Sequence, residues 1–514
     1  MTIFGRIFNA LRKRAKEKCP GYRNLIDVIF HDETNIVKTR AASQAKRRLE
    51  NSIARNRQCK SRSQSPVTPI PAEIPADVEE YAKSFFLSSY ILRGDGIPGH
   101  LSCLARLLTR GQLDVALQTA LVAVGTAGLS FMKSSPQLEV AARKSYSLAI
   151  SQINEALQDP TRVTKDDILA AIVTLGVYEV ISCDSQQSMQ AWYNHVLGAM
   201  ALVQLRGNQQ LEHEIGLELF LHLRTQIMVA CIQRGEEVPE LMQRLMRESQ
   251  RFRSHDQIQA SVLGDIIAKL CSVRALIRPS QGLNWQGSVG ACLGIDEQLR
   301  AWSVYLRFRG EYTHVGIWLA SEEVYDNQYH VYKDLYIAWL WNLYRVAKII
   351  THETILDVLK LEIVKSKQLS TGFPSDFIRQ YERSLSELRQ ASSEIFSSVP
   401  YHLNFHDQDN TPPRPVNGLL LIWNLYAAAR LEIRAGPARH WAMRRLQHIA
   451  HTMGIKQAAA LACVLKKRSI WEAEERKSFE SGRYSDGSAV DMDDIYSPLT
   501  KQRYLTDLPM ESAE

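Results

Sequence analysis

The chain lacks paired cysteines. Its eight cysteines are scattered singly along 514 residues, with no close pair. That excludes a disulfide framework and any C-x-x-C metal site, and it fits buried free thiols in a reducing compartment. Several catalytic signatures are missing as well. There is no G-x-S-x-G, no phosphate-binding loop and no H-E-x-x-H pair. His213 lies between Glu212 and Glu214, but the next histidine, His222, is nine residues on, whereas a helical zinc pair needs a gap of four. Gly94-Asp95-Gly96-Ile97-Pro98-Gly99 spells G-x-G-x-x-G. It lacks the strand-turn-helix context of a dinucleotide site, and Pro98 removes one N–H, so it reads as a turn between helices. Alternating apolar and polar residues, the mark of half-buried strands, are hard to find. No secretory h-region opens the chain. The first eighteen residues are amphipathic and acid-poor, as in a transit peptide, but they contain no serine and the basic run continues past residue 60.

What is present is helical periodicity, aromatic residues and an uneven charge. At 514 residues and 45% hydrophobic content the chain can bury a large core. Residues 1–62 hold 16 Lys and Arg against 5 Asp and Glu, a balance of +11; the remaining 46 bases and 50 acids balance at −4. A basic arm on a slightly acidic body points to an anionic partner for the arm. The stretch from Thr164 to Gly207 is expected to form two packed helices at the centre of the body. Thr164 before Lys165-Asp166-Asp167 suggests an N-cap, and the apolar run Ile168–Tyr178 suggests a helix buried on all sides. That run is too short to span a bilayer. The second helix carries Trp192, Val196, Ala199 and Val203 on one face, with His195 as a hydrogen-bonded structural residue, and stops at Arg206-Gly207. Further on, Tyr325, Tyr329, Tyr332, Tyr336, Trp339 and Trp341 recur at helical spacing and read as core lining a cavity. Tyr332, Tyr336, Trp341 and Arg345 are the candidate pocket residues, with Arg345 as its polar handle.

A family resemblance enters at Cys19-Pro20-Gly21-Tyr22-Arg23, followed by Phe30-His31-Asp32-Glu33-Thr34. This stretch resembles the segment that closes the DNA-binding module of fungal binuclear zinc cluster transcription factors. In that family six cysteines share two zinc ions. Here Cys19 stands as a remnant ligand, because residues 9–16 carry no cysteine and Cys59 is the other one in the arm. The body resembles the helical regulatory region of the same family. The matching signs are Tyr146, Tyr178-Glu179, Trp192-Tyr193-Asn194-His195, Tyr332-Lys333-Asp334, Trp341 to Arg345, Val399-Pro400-Tyr401-His402 and Trp441 with Arg444 and Arg445.

The resemblance implies an all-α protein: a zinc cluster remnant at 1–40, a basic Ser/Pro-rich linker at 41–77, a helical regulatory domain at 78–470 and a flexible tail at 471–514, with the basic arm partly disordered. It implies a nuclear regulator of transcription, with no metal cofactor in this chain although the family uses zinc. Weak phosphate contacts to DNA are expected from Arg12, Lys13, Arg14, Lys16, Lys18 and Arg23. The other partners it implies are the transcription machinery or homologous factors and a small-molecule effector, with no membrane. Two alternatives stand beside this reading: a helical scaffold or dimerising inhibitor that never touches DNA, and an enzyme with an unrecognised helical active site.

Overall fold

The computed structural model describes residues 78–466, apart from 93–99, 184–185, 253–257, 278–284, 308–311, 319–320, 370–374, 406–410 and 431–435, and apart from the side chains of 186–191, 307 and 363–369. The zinc cluster remnant, the basic arm, the linker, the glycine-rich turn at 94–99 and the tail after 466 lie outside the described residues. Helices carry the described chain in this order: α1 Val78–Ser89, α2 Ser102–Thr109, α3 Val115–Met132, α4 Pro136–Gln158, α5 Asp166–Ser182, α6 Gln186–Arg206, α7 Glu214–Arg234, α8 Glu240–Ser249, α9 Ile258–Ile277 and α10 Trp285–Arg307. After a hairpin come α11 Leu335–Leu369, α12 Ser375–His402, α13 Pro415–Arg430 and α14 Pro437–Met453, and residues 456–466 are helical again. The fold is all-α, as the periodicity indicates.

The central helix is α5. Every residue from Ile168 to Tyr178 is buried, which an apolar run without a polar face requires. It packs on α3, α4, α6 and α7. Helix α3 is still more apolar and lies against α4 and α5. Helices α3 and α7 are long and apolar enough to cross a membrane, but both bury 72% of that apolar window inside the body. Helix α1 crosses α3 at Gly125, where a Cβ would stand 2.0 Å from the Ala82 carbonyl oxygen; no other residue permits that approach. On α6, Trp192, Val196, Ala199 and Val203 are all buried, and the helix ends at Arg206 where Gly207 takes a positive φ of 59°.

Two expectations are corrected. Thr164 does not cap α5. The residue before the helix is Lys165, and no side chain caps there. Thr164 lies instead in the turn that precedes it, closed by Lys165 N–H to the Arg162 carbonyl at 3.0 Å. The acidic pair ties elements together: Asp167 accepts from the Asp114 N–H at 2.7 Å, and Asp166 pairs with the nearly buried Arg206. Asp114 caps α3 through Ala116 N–H at 3.0 Å and takes Arg162 in a bidentate pair at 2.8 and 3.0 Å.

The second correction concerns Tyr325 to Tyr336. Their spacing of four, three and four mimics a helix, yet Tyr329 and Tyr332 lie on a strand. The hairpin pairs β1 Tyr312–Gly316 with β2 Gln328–Tyr332, antiparallel, with Tyr312 opposite Tyr332 and His314 opposite His330. Asp326 and Asn327 both take positive φ, which turns the chain into β2. The inner face of β2 packs on α12.

Candidate functional site

Helix α11 has two working faces. Tyr336, Trp339, Leu340 and Leu343 point one way, at the spacing of one helical side, while Trp341, Asn342 and Arg345 point the other. The sequence window Trp339–Arg345 therefore covers both sides of one helix, and of the four candidate pocket residues Tyr332, Trp341 and Arg345 meet on one side while Tyr336 lies on the other.

The Arg345 face is a closed polar knot. Arg345 is 0% exposed. Its Nε donates to Glu394 at 3.0 Å, and its other nitrogens donate to Tyr332 Oη at 2.7 Å, Asn342 Oδ1 at 2.9 Å and His330 Nδ1 at 3.4 Å. The rings of Tyr312, Tyr332 and Trp341 lie 5.2 to 5.8 Å from the guanidinium carbon. Asn342 donates to Ser398 Oγ at 2.8 Å and reaches His402 Nε2 at 3.3 Å, and Asn417 donates to the His402 carbonyl at 2.9 Å. Burial alone would lower the Arg345 pKa; Tyr332 and Glu394 beside it raise it instead. Burial, with Arg345 and His314 nearby, drives His330 down to about 2, and burial takes His402 down to about 3. The sequence signs at 332–334, 341–345 and 399–402 thus converge in space as a structural device. Arg345 is not the handle of a pocket.

The opposite face opens on a cavity of about 230 Å³. Its walls come from Leu92 and the segment at 100–103, the C-terminal half of α5, Trp192 on α6, α7, α9, α11 and α13. Four aromatic side chains line it: Trp192, Tyr336, Trp339 and Trp423. Of the pocket candidates only Tyr336 is here. The polar members are chiefly His100, Glu218, His222 and Arg224. Glu218 is held by Arg106 and accepts from Ser102 Oγ at 3.1 Å. The rings of His100 and His222 meet edge to face at 4.9 Å. Gln226 donates its amide N–H to His222 Nε2 at 2.9 Å, which makes that nitrogen the acceptor. Arg224 is buried and lies on α9 at Gly264, where a Cβ would come 3.1 Å from the guanidinium carbon.

Burial pushes every titratable shift in this wall toward the neutral form. It lowers His222 to about 4 and, with His222 as the second cause, lowers His100. It raises the Cys103 thiol and the Tyr336 phenol to about 12 each. Such a set holds weak bases and a protonated thiol, the opposite of an activated nucleophile. A second arrangement has the outline of a catalytic triad: Asp296 lies 3.2 Å from His352 Nε2, and His352 Nδ1 lies 3.3 Å from Ser384 Oγ. All three are at most 2% exposed and none lines the cavity. Among the described residues no group of three or more His, Cys, Asp or Glu could hold a metal ion.

The other motif residues are structural too. Tyr146 stacks on Tyr178 at 4.3 Å and donates to Glu179. His195 Nε2 bonds the Ile172 carbonyl against Gly176, as its place on α6 suggested. The cavity residues His100, Glu218 and Arg224 were missed in the sequence. A signal for them exists on α7: Glu218, Leu221, His222, Thr225 and Val229 form one helical stripe, with polar members on an otherwise apolar helix.

Residues 81–230 match the family model of the fungal specific transcription factor domain. The chain carries a fungal-specific transcription factor domain. It is similar to Transcription factor dbaG of Emericella nidulans, 24% identical over 429 residues, a match that takes in 76% of this chain and 93% of that protein. It is also similar to Uncharacterized protein AN5342 of the same organism, 26% identical over 117 residues, or 23% of this chain and 24% of that protein. No solved structure matches. The transcription factor domain segment supplies the cavity wall from Leu92 to Val229, and later helices complete it.

Proposed function

We propose that the chain is a nuclear regulator of transcription in which the basic arm contacts nucleic acid through phosphates and the helical domain answers a small-molecule effector. The observation that carries this reading is the cavity: the segment matching the transcription factor domain builds much of its wall, and its titratable groups are tuned for binding rather than for chemistry. The arm adds the charge, +11 over residues 1–62. Within those residues Cys19, Cys59 and His31 are too few to hold the two zinc ions of a binuclear cluster. Elemental analysis of the purified chain is expected to give no stoichiometric zinc. The transcription machinery or homologous factors are the protein partners this reading calls for.

The test is a titration of random and promoter duplexes at two salt concentrations. Phosphate contacts from the arm carry no base readout of their own, so affinity is expected on the order of 10⁻⁴–10⁻⁶ M and should fall steeply with salt. Changing Arg12, Lys13 and Arg14 together to alanine should weaken binding alike on every sequence and flatten the salt slope. Deleting residues 1–62 should abolish it, since the remainder is net −4. A hundredfold preference for one duplex would show a base-reading element and overturn this account of the arm.

A further inference from the structure

We infer that the cavity between α7, α11 and α13 takes a planar aromatic acid of one or two rings, its carboxylate on Arg224 and its rings among Trp192, Tyr336, Trp339 and Trp423. This rests on the reading that the cavity holds an effector, and adds its chemical class.

Size comes first. A cavity of about 150 Å³ holds benzene, so 230 Å³ takes a substituted ring or a fused pair. Shape follows from the walls. Trp192 packs on Trp423 with centroids 6.4 Å apart and Tyr336 on Trp339 at 5.6 Å, so two aromatic pairs border the space from α6, α11 and α13. Flat apolar rings bury most area against such walls.

Charge decides among aromatic ligands. The acid in the wall, Glu218, already has its counter-charge in Arg106 and a donor in Ser102. The two histidines are held neutral by burial. Arg224 remains charged at any working pH. Its guanidinium has five N–H donors, enough to serve an acceptor of the protein and still offer an edge to a ligand carboxylate. Gly264, with no Cβ, leaves room for that group on α9. A cationic ligand would gain from the aromatic faces but would meet Arg224 in the same wall. An acid gains from both.

The experiment is calorimetric titration of the full chain with 2-naphthoate, its neutral amide 2-naphthamide and the cation 2-naphthylmethylammonium. The acid should bind tighter than either by about ten- to a hundredfold, the weight of a hydrogen-bonded charge. Arg224→Lys should keep part of that preference and Arg224→Met should lose it. If Arg224→Met does not fold, the ligand series on the unaltered chain still decides. Val180→Trp, which fills the cavity, should abolish acid binding. Acid binding that survives Val180→Trp would place it elsewhere, on the basic arm, and would overturn the inference. Equal or tighter binding of the amide or the cation overturns the acid class alone. Failure of all three probes overturns both the class and the effector reading of the cavity, while the duplex titration stands or falls separately.

Discussion

Helix α11 presents one buried arginine, Arg345, to a sealed knot, while α7 presents another, Arg224, to a void on the opposite side of α11. Both have lost their water. Around Arg345 the missing hydration is replaced in full by Glu394, Tyr332, Asn342 and three aromatic rings. Arg224 lies on the α9 backbone at Gly264 and borders the cavity together with four aromatic side chains and neutral histidines. Burial of a charge therefore does not distinguish structure from function. The space beside the charge does, because a packed guanidinium specifies a fold and a guanidinium facing a cavity can specify a ligand.

The comparison can be broken by substitution. Arg345→Met should take the counter-charge from Glu394 and the arginine donors from Tyr332 Oη and Asn342 Oδ1, and should cost about 3–5 kcal/mol of stability. Arg224→Met should cost less by about 2 kcal/mol or more, since the cavity leaves its neighbours room to relax. Urea unfolding of the two variants beside the unaltered chain checks this, and equal losses would erase the contrast.

Titration sharpens it next. His402 is held at about 3 by burial, against about 6.5 in the unfolded chain. Below pH 6.5 the unfolded chain takes up a proton that the knot refuses, so stability from this group is full above that pH and is lost as pH falls. His402→Gln should flatten the pH dependence of stability by about 1.4 kcal/mol per unit between pH 6 and 4. An unchanged slope would mean that His402 is charged or solvated in the folded chain.

The smallest effect comes from added volume. Val180→Leu adds a methylene into open space and should change stability by no more than about 0.5 kcal/mol either way, because the cavity accommodates it. Ser398→Val, on the knot side, removes the acceptor of the 2.8 Å bond from Asn342 and overfills a closed site. It should cost about 1–3 kcal/mol. Thermal unfolding of the pair reads the difference, and equal shifts would mean that the cavity side is as tightly packed as the knot.

How much of this was legible in the sequence differs between the same two regions. The central helix α5 was plain, because a run with no polar face has only one home. The knot was half legible: Tyr332, Trp341 and Arg345 were singled out and do converge, but as packing. Their nearness in sequence to Tyr336 and Trp339 hid the fact that a helix turns them to opposite sides. The hairpin was hidden by tyrosines whose spacing imitates a helix, and the turn signal lay in Asp326-Asn327. The cavity was not legible. Leu92 and Trp423 border the same space from opposite ends of the described chain, and no local pattern reports such an encounter. The misplaced cap at Thr164 has a local cause, since the turn at 159–165 uses that residue before the helix begins.

The most direct test of the two-sided account is hydrogen exchange of the full chain with and without 2-naphthoate. The account predicts added protection in 218–229 and 336–343, the cavity walls, with residues 395–402 of the knot unchanged. Protection confined to 395–402, or spread evenly over the body, would contradict it.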